Sequence, residues 1–316
     1  MQNNFYAAAA SYGMTILLGL WLIPVLHRLK FGQIVRTDGP LRHLEKTGTP
    51  TMGGIIFILP IAFCTLLFSG FSKDVLVVIA SMICFGAIGF IDDFIKIAKR
   101  RSLGLGAKQK LALQLIFSLG LTSYVITNFK DPYNILMPFS HEMINLGFWY
   151  IPITMIIVIM GTVNSVNLAD GLDGLVAGVT AILTLMYTIF LVKNGYNSLT
   201  VPACAICGAC LGFLVFNRHP AKVFMGDTGS LGLGGAIAAI AVLSRSHFYL
   251  AVFGIIFVVE TLSVILQVIS FKTTGKRIFK MSPIHHHFEL CGWSEVKVVR
   301  TFWAATFIAG IIALLI

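Results

Sequence analysis

Five aspartates are the residues of this sequence whose placement best indicates a reactive centre. They lie at the ends of long apolar runs, beside basic loops, and are Asp92, Asp93, Asp170, Asp173 and Asp227. A carboxylate at the end of a membrane helix costs far less than the ~2.5–3.5 kcal/mol of one at the bilayer centre, so each alone also fits a solvated helix end. Five carboxylates at one membrane face, in a chain with only 13 acidic residues, predict a cation site there.

The first pair of aspartates lies in the stretch GFIDDFIKIAKRR. Adjacent residues of an α-helix point about 100° apart, so we expect Asp92 and Asp93 to have different roles. Lys96 follows them by four and three residues, where its ammonium can pair with either acid or face a substrate phosphate. A helix end without a ligand is the alternative interpretation of these three residues.

The stretch GTVNSVNLADGLDGL carries polar residues at a strict spacing of three, namely Asn164, Asn167, Asp170 and Asp173. On one straight helix the first and the last of these would face opposite ways. Gly171 allows a break, and if the chain unwinds at DGLDG the polar groups can line one wet cavity. The alternative is a plain glycine-rich turn between two helices.

Asp227 lies in the stretch FNRHPAKVFMGDTGSLGLGG, where it precedes a span of small residues. With Thr228 and Ser230 it marks the N-terminus of a helix, whose amides and dipole favour an anion such as phosphate. A carboxylate beside that anion suggests Mg²⁺ between the two, since Mg²⁺ prefers one or two carboxylates plus phosphate oxygens. The segment lacks the GK[ST] ending of a Walker A loop, and a helix cap without a ligand is the competing interpretation.

Weaker signals lie in a Gly/Pro-containing loop and inside one apolar run. The loop residues Lys46 and Thr51 can supply hydrogen-bond partners for a phosphate or a uridine. Glu260 and Gln267 are seven residues apart, hence on one helix face, and we expect them to face the bundle interior. Packing partners and a functional role are equally compatible with that position.

Three consecutive histidines lie in the stretch PIHHHFEL. As zinc ligands they are a weak signal, because neighbouring helical residues point about 100° apart and Cys291 has no matching partner cysteine. Beside a phosphate cavity they are better explained as donors to the phosphates or the sugar of a nucleotide. His286 is expected to point inward while His285 or His287 braces the loop, an order that the sequence leaves open.

The elements that must position these residues are membrane helices. The chain has 57% hydrophobic and 11% charged residues and a mean hydropathy of +0.89, whereas soluble domains have about 25% charged residues. With about 20 residues per crossing, the apolar runs predict an all-α integral membrane protein of about ten transmembrane helices in a single domain, 1–316. The predicted spans are 4–25, 53–70, 74–93, 109–128, 149–167, 174–192, 198–216, 231–245, 248–271 and 301–316.

The loop charges predict the orientation of these spans. Only four of the basic residues fall on one side of the membrane, and they are Lys73, Lys130, Lys193 and Arg245. Because Lys and Arg near helix ends are retained in the cytoplasm, both termini are predicted outside and the long basic loops inside. The net charge of +10 then reflects topology, which makes nucleic-acid binding a poor explanation. The segment TNFKDPYNILMPFSHEMINLGFWY predicts a small extracytoplasmic β-hairpin.

Several unusual strings occur together in one order: GTPTMGG, DDFIK, NSVNLADGLDGL, FMGDTGSLGLG and PIHHHFE. From about Lys46 to the C-terminus the sequence resembles the phospho-N-acetylmuramoyl-pentapeptide transferase family, of the polyprenyl-phosphate N-acetylhexosamine-1-phosphate transferase superfamily. The departures from the family pattern are mild and remove no motif carboxylate, amide or histidine; they are Ala169, Gly232 and Cys291.

The resemblance implies a dimeric enzyme of the bacterial cytoplasmic membrane whose active site faces the cytoplasm. It would transfer phospho-N-acetylmuramoyl-pentapeptide from its UDP carrier to undecaprenyl phosphate, forming lipid I and UMP for peptidoglycan synthesis. The cofactor would be Mg²⁺, with Asp227 as the leading ligand and Asp92 or Asp93 beside it. The other member of that pair would position or deprotonate the lipid phosphate, and His286 completes the predicted catalytic set.

The remaining site residues are predicted to bind substrate. Those that match family positions around the nucleotide are Lys46, Asn167, Asp170, Gly171, Leu172, Asp173, Asn217 and Phe224. The others are Thr51, Lys96, Gln267, His285 and His287. Two rival functions stay open: a related transferase that uses UDP-N-acetylglucosamine, and an ion-coupled transporter, since intramembrane acids and broken helices also build transport sites.

Overall fold

The computed structural model describes residues 2–29, 48–99, 101 and 103–316. These residues form helices joined by short connections, with one two-stranded sheet. The elements are α1 (Gln2–Arg28), α2 (Ile55–Ser69), α3 (Lys73–Ala98), α4 (Ala107–Asn128), β1 (Asn134–Leu136), β2 (Met143–Asn145), α5 (Gly147–Ala169), α6 (Leu175–Lys193), α7 (Asn197–Asn217), α8 (Gly226–Leu243), α9 (His247–Phe253), α10 (Ile255–Thr274), α11 (Ile284–Leu290) and α12 (Glu295–Leu315).

The prediction of an all-α membrane protein is confirmed. Within the described residues, 9 helices are long and apolar enough to cross a membrane. The remaining predicted span, 53–70, corresponds to α2. This helix has 15 residues and so extends about 22 Å, less than the ~30 Å hydrocarbon core. Directly before α2, the backbone amides of residues 53 and 54 donate to the carbonyls of Phe224 and Met225, at 2.9 Å each.

Two predicted spans and one loop differ from the structure in segments that carry predicted site residues. α8 begins at Gly226, so Asp227 lies in its first turn instead of before the span. The predicted span 248–271 is two helices that meet at Gly254. The histidine stretch forms a short helix of its own, α11, which the sequence analysis did not predict as a helix.

The predicted β-hairpin is present. β1 pairs antiparallel with β2, with Asn134 opposite Asn145. The amide of Leu136 also donates to the carbonyl of Arg245 at 2.8 Å, which ties the hairpin to the end of α8. This hairpin lies at the end of α8 that is opposite to Asp227.

α8 is the central helix and is buried along nearly its whole length. Its small residues let α3 approach so closely that a Cβ on Gly89 would overlap the backbone carbonyl of Asp227. Gly89 is one turn before Asp92 and Asp93 on the same helix. The close contact therefore places the aspartates of α3 beside the first turn of α8.

Replacing Gly89 with alanine is expected to lower both the melting temperature and the activity of the detergent-solubilised protein. The added methyl would push α3 away from the backbone of α8, and overpacking of this kind costs about 1–3 kcal/mol. Gly120→Ala is the matched control, because Gly120 is in mid-helix on α4 and nothing lies within 4 Å of an added Cβ. Alanine favours a helix by about 1 kcal/mol over glycine, so this control should melt no lower than the wild type. Equal melting temperatures for the two variants would contradict the close-contact explanation.

Candidate functional site

Three aspartates from two helices converge at one end of the bundle. Asp92 and Asp93 of α3 are 3% and 2% exposed, and Asp227 is in the first turn of α8. Each offers a carboxylate oxygen, and these atoms lie within 4.8 Å of one another. Three carboxylates this close repel each other strongly in a poorly solvated site, so the arrangement requires positive charge or a bound proton between them.

Asp93 caps the N-terminus of α8. Its Oδ2 accepts hydrogen bonds from the amide and the hydroxyl of Thr228, at 2.9 and 2.8 Å, and its Oδ1 accepts one from the amide of Asp227 at 3.2 Å. A carboxylate at this position satisfies helix amides that have no partner within the helix and interacts favourably with the helix dipole. Both oxygens of Asp93 are thus engaged in holding α8 against α3.

Asp92 has different partners. Its Oδ1 accepts a hydrogen bond from the amide of Leu105 at 2.8 Å, and its Oδ2 lies 2.6 Å from Nζ of Lys96. α3 continues beyond the pair to Ala98, so the two neighbouring carboxylates point in different directions along one helix. This geometry agrees with the expectation that Asp92 and Asp93 differ in role.

Two ammonium groups neutralise the carboxylates. Nζ of Lys96 lies 2.6 Å from Asp92, 3.6 Å from Asp93 and 3.1 Å from Asp227. Nζ of Lys110, in the first turn of α4, lies 2.8 Å from Oδ2 of Asp227. The Lys96 ammonium therefore occupies the position between the three carboxylates that a cation would take. The oxygen-only donor set suits a hard divalent cation such as Mg²⁺.

Asn167, near the end of α5, orients Asp227. Its Nδ2 donates to Oδ1 of Asp227 and to Oγ of Ser230, at 2.9 Å each. The same side chain accepts a hydrogen bond of 3.4 Å from Lys110 through Oδ1. Asn164 does not join this group, since its amide exchanges hydrogen bonds with Gln114 of α4 inside the bundle.

The chain does unwind at DGLDG, between α5 and α6, as the glycines predict. Asp173 anchors this turn: its Oδ2 accepts hydrogen bonds from the amide of Ala221 at 3.0 Å and from the ring of His219 at 3.1 Å. The amide of Asp173 donates to Glu295 at 2.6 Å, and the second carboxylate oxygen of Glu295 lies 3.4 Å from His219. These contacts hold the turn to the loop after α7 and to the first turn of α12.

Asn217, at the end of α7, braces the same turn from the other side. Its Oδ1 accepts a hydrogen bond from the amide of Gly174 at 3.1 Å, and its Nδ2 donates to the carbonyl of Val223 at 2.9 Å. Asn217 and Leu172 are each 4% exposed, whereas Asp170 and Gly171 are half-buried. Residues 170 and 171 of the turn are thus partly accessible, while the later part of the turn is fixed in the protein interior.

The segment before α8 pairs with the segment before α2. The amide of Phe224 donates to the carbonyl of Pro50 at 2.8 Å, and the amide of Gly53 donates back to Phe224 at 2.9 Å. Thr51 is buried within this pairing, and the Phe224 side chain is half-buried. Lys46, which the sequence analysis assigned to this region, lies outside the described residues.

The three histidines of α11 have three different environments. His285 is fully buried with Nδ1 3.0 Å from Glu260, whereas Nδ1 of His286 lies 2.9 Å from Glu289. Nδ1 of His287 accepts a hydrogen bond from the amide of Lys280 at 3.2 Å. The expectation that His286 points inward is wrong, because His285 is the histidine that faces the interior, while His286 and His287 are half-buried.

Gln267 holds the loop before α11. Its Oε1 accepts hydrogen bonds from the amides of Ile278 and Phe279 at 3.0 Å each, and its Nε2 donates to the carbonyl of Phe279 at 2.9 Å. Both ends of its amide are thus used by the backbone. The structure does not place this side chain next to the aspartates.

Three polar residues at the site were missed by the sequence analysis as site residues: Lys110, His219 and Glu295. Lys110 was not singled out there, although it lies in the first turn of the helix that follows the DDFIK motif. His219 lies inside the stretch FNRHPAKVFMGDTGSLGLGG but was not assigned a role there, whereas Glu295 lies outside all of the quoted stretches. Only the packing of the loop after α7 against α12 brings them to Asp173.

Comparison with known proteins gives consistent matches. The glycosyl transferase family 4 model matches residues 75–245. A protein of Desulforamulus reducens is 49% identical over 314 residues, covering 98% of this chain and 94% of that protein. Proteins of Clostridium botulinum and Heliobacterium modesticaldum are 50% and 48% identical, covering 97% and 100% of this chain and 94% and 98% of their own lengths. All three are named phospho-N-acetylmuramoyl-pentapeptide-transferase.

Proposed function

The chain belongs to the phospho-N-acetylmuramoyl-pentapeptide transferases, within glycosyl transferase family 4, and from this membership we propose its reaction. The phosphate of undecaprenyl phosphate attacks the sugar-bearing phosphorus of UDP-N-acetylmuramoyl-pentapeptide. The bond from that phosphorus to the oxygen of UMP breaks, UMP leaves, and the new diphosphate is lipid I. The chain carries out this step as a multi-pass membrane protein, and we propose that residues 1–316 act as one domain.

The observation that carries the proposal is the group of three carboxylates and two ammonium groups at one end of the bundle. Both substrates are polyanions, so their phosphates approach each other only where positive charge is concentrated. Lys96 and Lys110 supply part of that charge from the protein itself. Their position at the end of apolar helices suits a reaction between a water-soluble nucleotide and a lipid phosphate.

Asp227 and Asp92 are the proposed ligands of Mg²⁺. Asp93 suits this task less, because its two oxygens already accept three hydrogen bonds from the start of α8. When bound, the ion would neutralise the diphosphate and the leaving UMP. Lys96, whose ammonium now lies between the carboxylates, would turn toward a substrate phosphate.

No protein base is required for the attack. The second pKa of a phosphate monoester is about 6, so the lipid phosphate is largely ionised at neutral pH. Asp93 therefore acts as a positioning group that fixes α8 and, through it, Asp227. Asn167 completes this arrangement because its amide fixes the orientation of the Asp227 carboxylate.

The nucleotide is proposed to bind over the DGLDG turn. Asp170, Gly171 and Leu172 would present backbone and carboxylate groups to it, and Phe224 would stack on the uracil ring. The turn is held in place by Asp173 and Asn217. The other proposed contacts are Lys46, Thr51, His286 and His287, and Gln267 acts indirectly by holding the loop before α11.

The active site is proposed to face the cytoplasm of a bacterial cell. The predicted cytoplasmic loops contain most of the basic residues and adjoin the aspartates, which supports this orientation. A homodimer is proposed from the resemblance to the family.

A direct test compares sugar nucleotides in proteoliposomes that contain undecaprenyl phosphate. We expect UMP release from UDP-N-acetylmuramoyl-pentapeptide and none above background from UDP-N-acetylglucosamine. The Asp227→Asn variant in the same vesicles gives the background of contaminating activity. UMP release from UDP-N-acetylglucosamine alone would indicate the related transferase. Ion-coupled solute uptake without UMP release would indicate a transporter.

A further inference from the structure

Glu260 and His285 form a fully buried pair of ionisable side chains. Both are 0% exposed, and Nδ1 of His285 lies 3.0 Å from Oε1 of Glu260. The remaining polar atoms, Oε2 of Glu260 and Nε2 of His285, have no hydrogen-bond partner among the described residues. Burying a carboxylate and an imidazole is costly, and the contact between the two groups offsets part of that cost.

The pair joins two elements that the sequence separates. Glu260 lies on α10, and His285 lies on the short helix α11 after a loop. Seven residues after Glu260, on the same face of α10, Gln267 holds the backbone of that loop. One helix face therefore fixes both the loop and the imidazole, and the ring has a defined position relative to α10.

The imidazole supports the DGLDG turn from inside the protein. Nε2 of His285 lies so close to Gly171 that a Cβ at residue 171 would overlap the ring. Gly171 is four residues after Asn167, whose amide donates to Asp227. Because His285 is completely buried, it acts on a bound nucleotide through the turn and not by direct contact.

We propose that Glu260 is a positioning residue of the transferase, which holds the imidazole of His285 under Gly171 and thereby sets the turn that binds the sugar nucleotide. The carboxylate accepts a hydrogen bond from the N–H group at Nδ1, and this bond fixes the tautomer and the angle of the ring. Without this contact the ring can rotate, and the turn loses its support on the inner side. This inference rests on the proposed function.

The test measures steady-state UMP release while each substrate is varied separately. Glu260→Ala is expected to raise the KM for the sugar nucleotide about 10-fold and to leave the KM for undecaprenyl phosphate unchanged, since loss of a partner that orients a histidine of a site typically costs 10–100-fold. Glu260→Gln keeps an oxygen that can accept the Nδ1 proton, so its KM values should stay close to those of the wild type. Ser263→Ala is the matched control, because Ser263 is buried on the same helix and its hydroxyl donates to the backbone carbonyl of Glu260.

The outcomes separate this role from a merely structural one. If Glu260→Ala leaves the KM for the sugar nucleotide unchanged, or raises the KM values of both substrates equally, the inference is overturned. Should the alanine variant fail to fold, Glu260→Asp decides, because its shorter carboxylate withdraws from the ring. A raised sugar-nucleotide KM in that variant supports the inference, and unchanged KM values overturn it. Absence of UMP release by the wild type would instead overturn the proposed function.

Discussion

Replacing Asp227 with asparagine is expected to lower kcat by about 100-fold or more, in line with the loss of one essential electrostatic group from an enzyme site. Its carboxylate pairs with the ammonium groups of Lys96 and Lys110 and accepts a hydrogen bond from Asn167. Asp227 is also the leading proposed ligand of Mg²⁺. An amide of the same shape keeps one oxygen acceptor, but it replaces the other oxygen by an NH2 donor and removes the charge. The loss should therefore appear in turnover and in the metal requirement rather than in folding.

The measurement is UMP release over a series of Mg²⁺ concentrations, with melting temperature recorded in parallel. We expect the half-saturating Mg²⁺ concentration to rise in Asp227→Asn, and added chelator to reduce the wild type to the background rate. Asp74→Asn is the matched control: Asp74 is on α3 as well, about 27 Å from Asp92 along the helix. Among the residues that the structure describes, its carboxylate accepts hydrogen bonds from the hydroxyl groups of Tyr124 and Ser198. Near-normal turnover of Asp227→Asn would contradict the assignment.

Replacing Lys110 with glutamine is expected to lower kcat/KM by about 10–100-fold. The site then has only one of the two ammonium groups beside Asp227 with which to attract two polyanionic substrates. The effect on the metal should have the opposite sign to that of Asp227→Asn. Nζ of Lys110 lies 2.8 Å from Oδ2 of Asp227 and so competes with a metal ion for that oxygen. Removing it should lower the half-saturating Mg²⁺ concentration while turnover falls.

Lys108→Gln is the control for this prediction. Lys108 is two residues earlier in the first turn of α4 and is exposed, so the two variants carry the same net charge. Similar losses in both would show that bulk surface charge matters, and not the contact with Asp227. A higher Mg²⁺ requirement in Lys110→Gln would contradict the proposed competition.

Composition and the length of the apolar runs predicted the fold class, and the motifs predicted the residue types of the site. A helix must offer about 20 apolar residues to cross the hydrocarbon core, so composition and run length were enough to locate α1, α3 to α8, α10 and α12. The small errors at Gly226 and Gly254 arose where the chain bends or caps locally. At Gly254 the hydropathy of a window does not change although the backbone direction does, and at Gly226 the helix begins within polar residues that an apolar run excludes.

The aspartates were recognised for a similar reason. A carboxylate in an apolar chain is costly, so Asp92, Asp93 and Asp227 stood out by type and by their position at helix ends. The sequence did not predict which role each aspartate has. These roles depend on which amides and ammonium groups lie within about 3 Å of each carboxylate oxygen. Asp93 became a helix cap only because Gly89 allows α3 to touch the start of α8.

The tertiary structure alone decided which residues act together across the chain. Spacing along one helix fixes directions by the 3.6-residue turn, but nothing in it states the distance between two helices. Lys110 meets Asp227 across 117 positions of sequence, and Glu260 meets His285 across 25. Contacts of this kind depend on close packing, where a single added methyl group would separate the partners, and for that reason no local pattern predicts them.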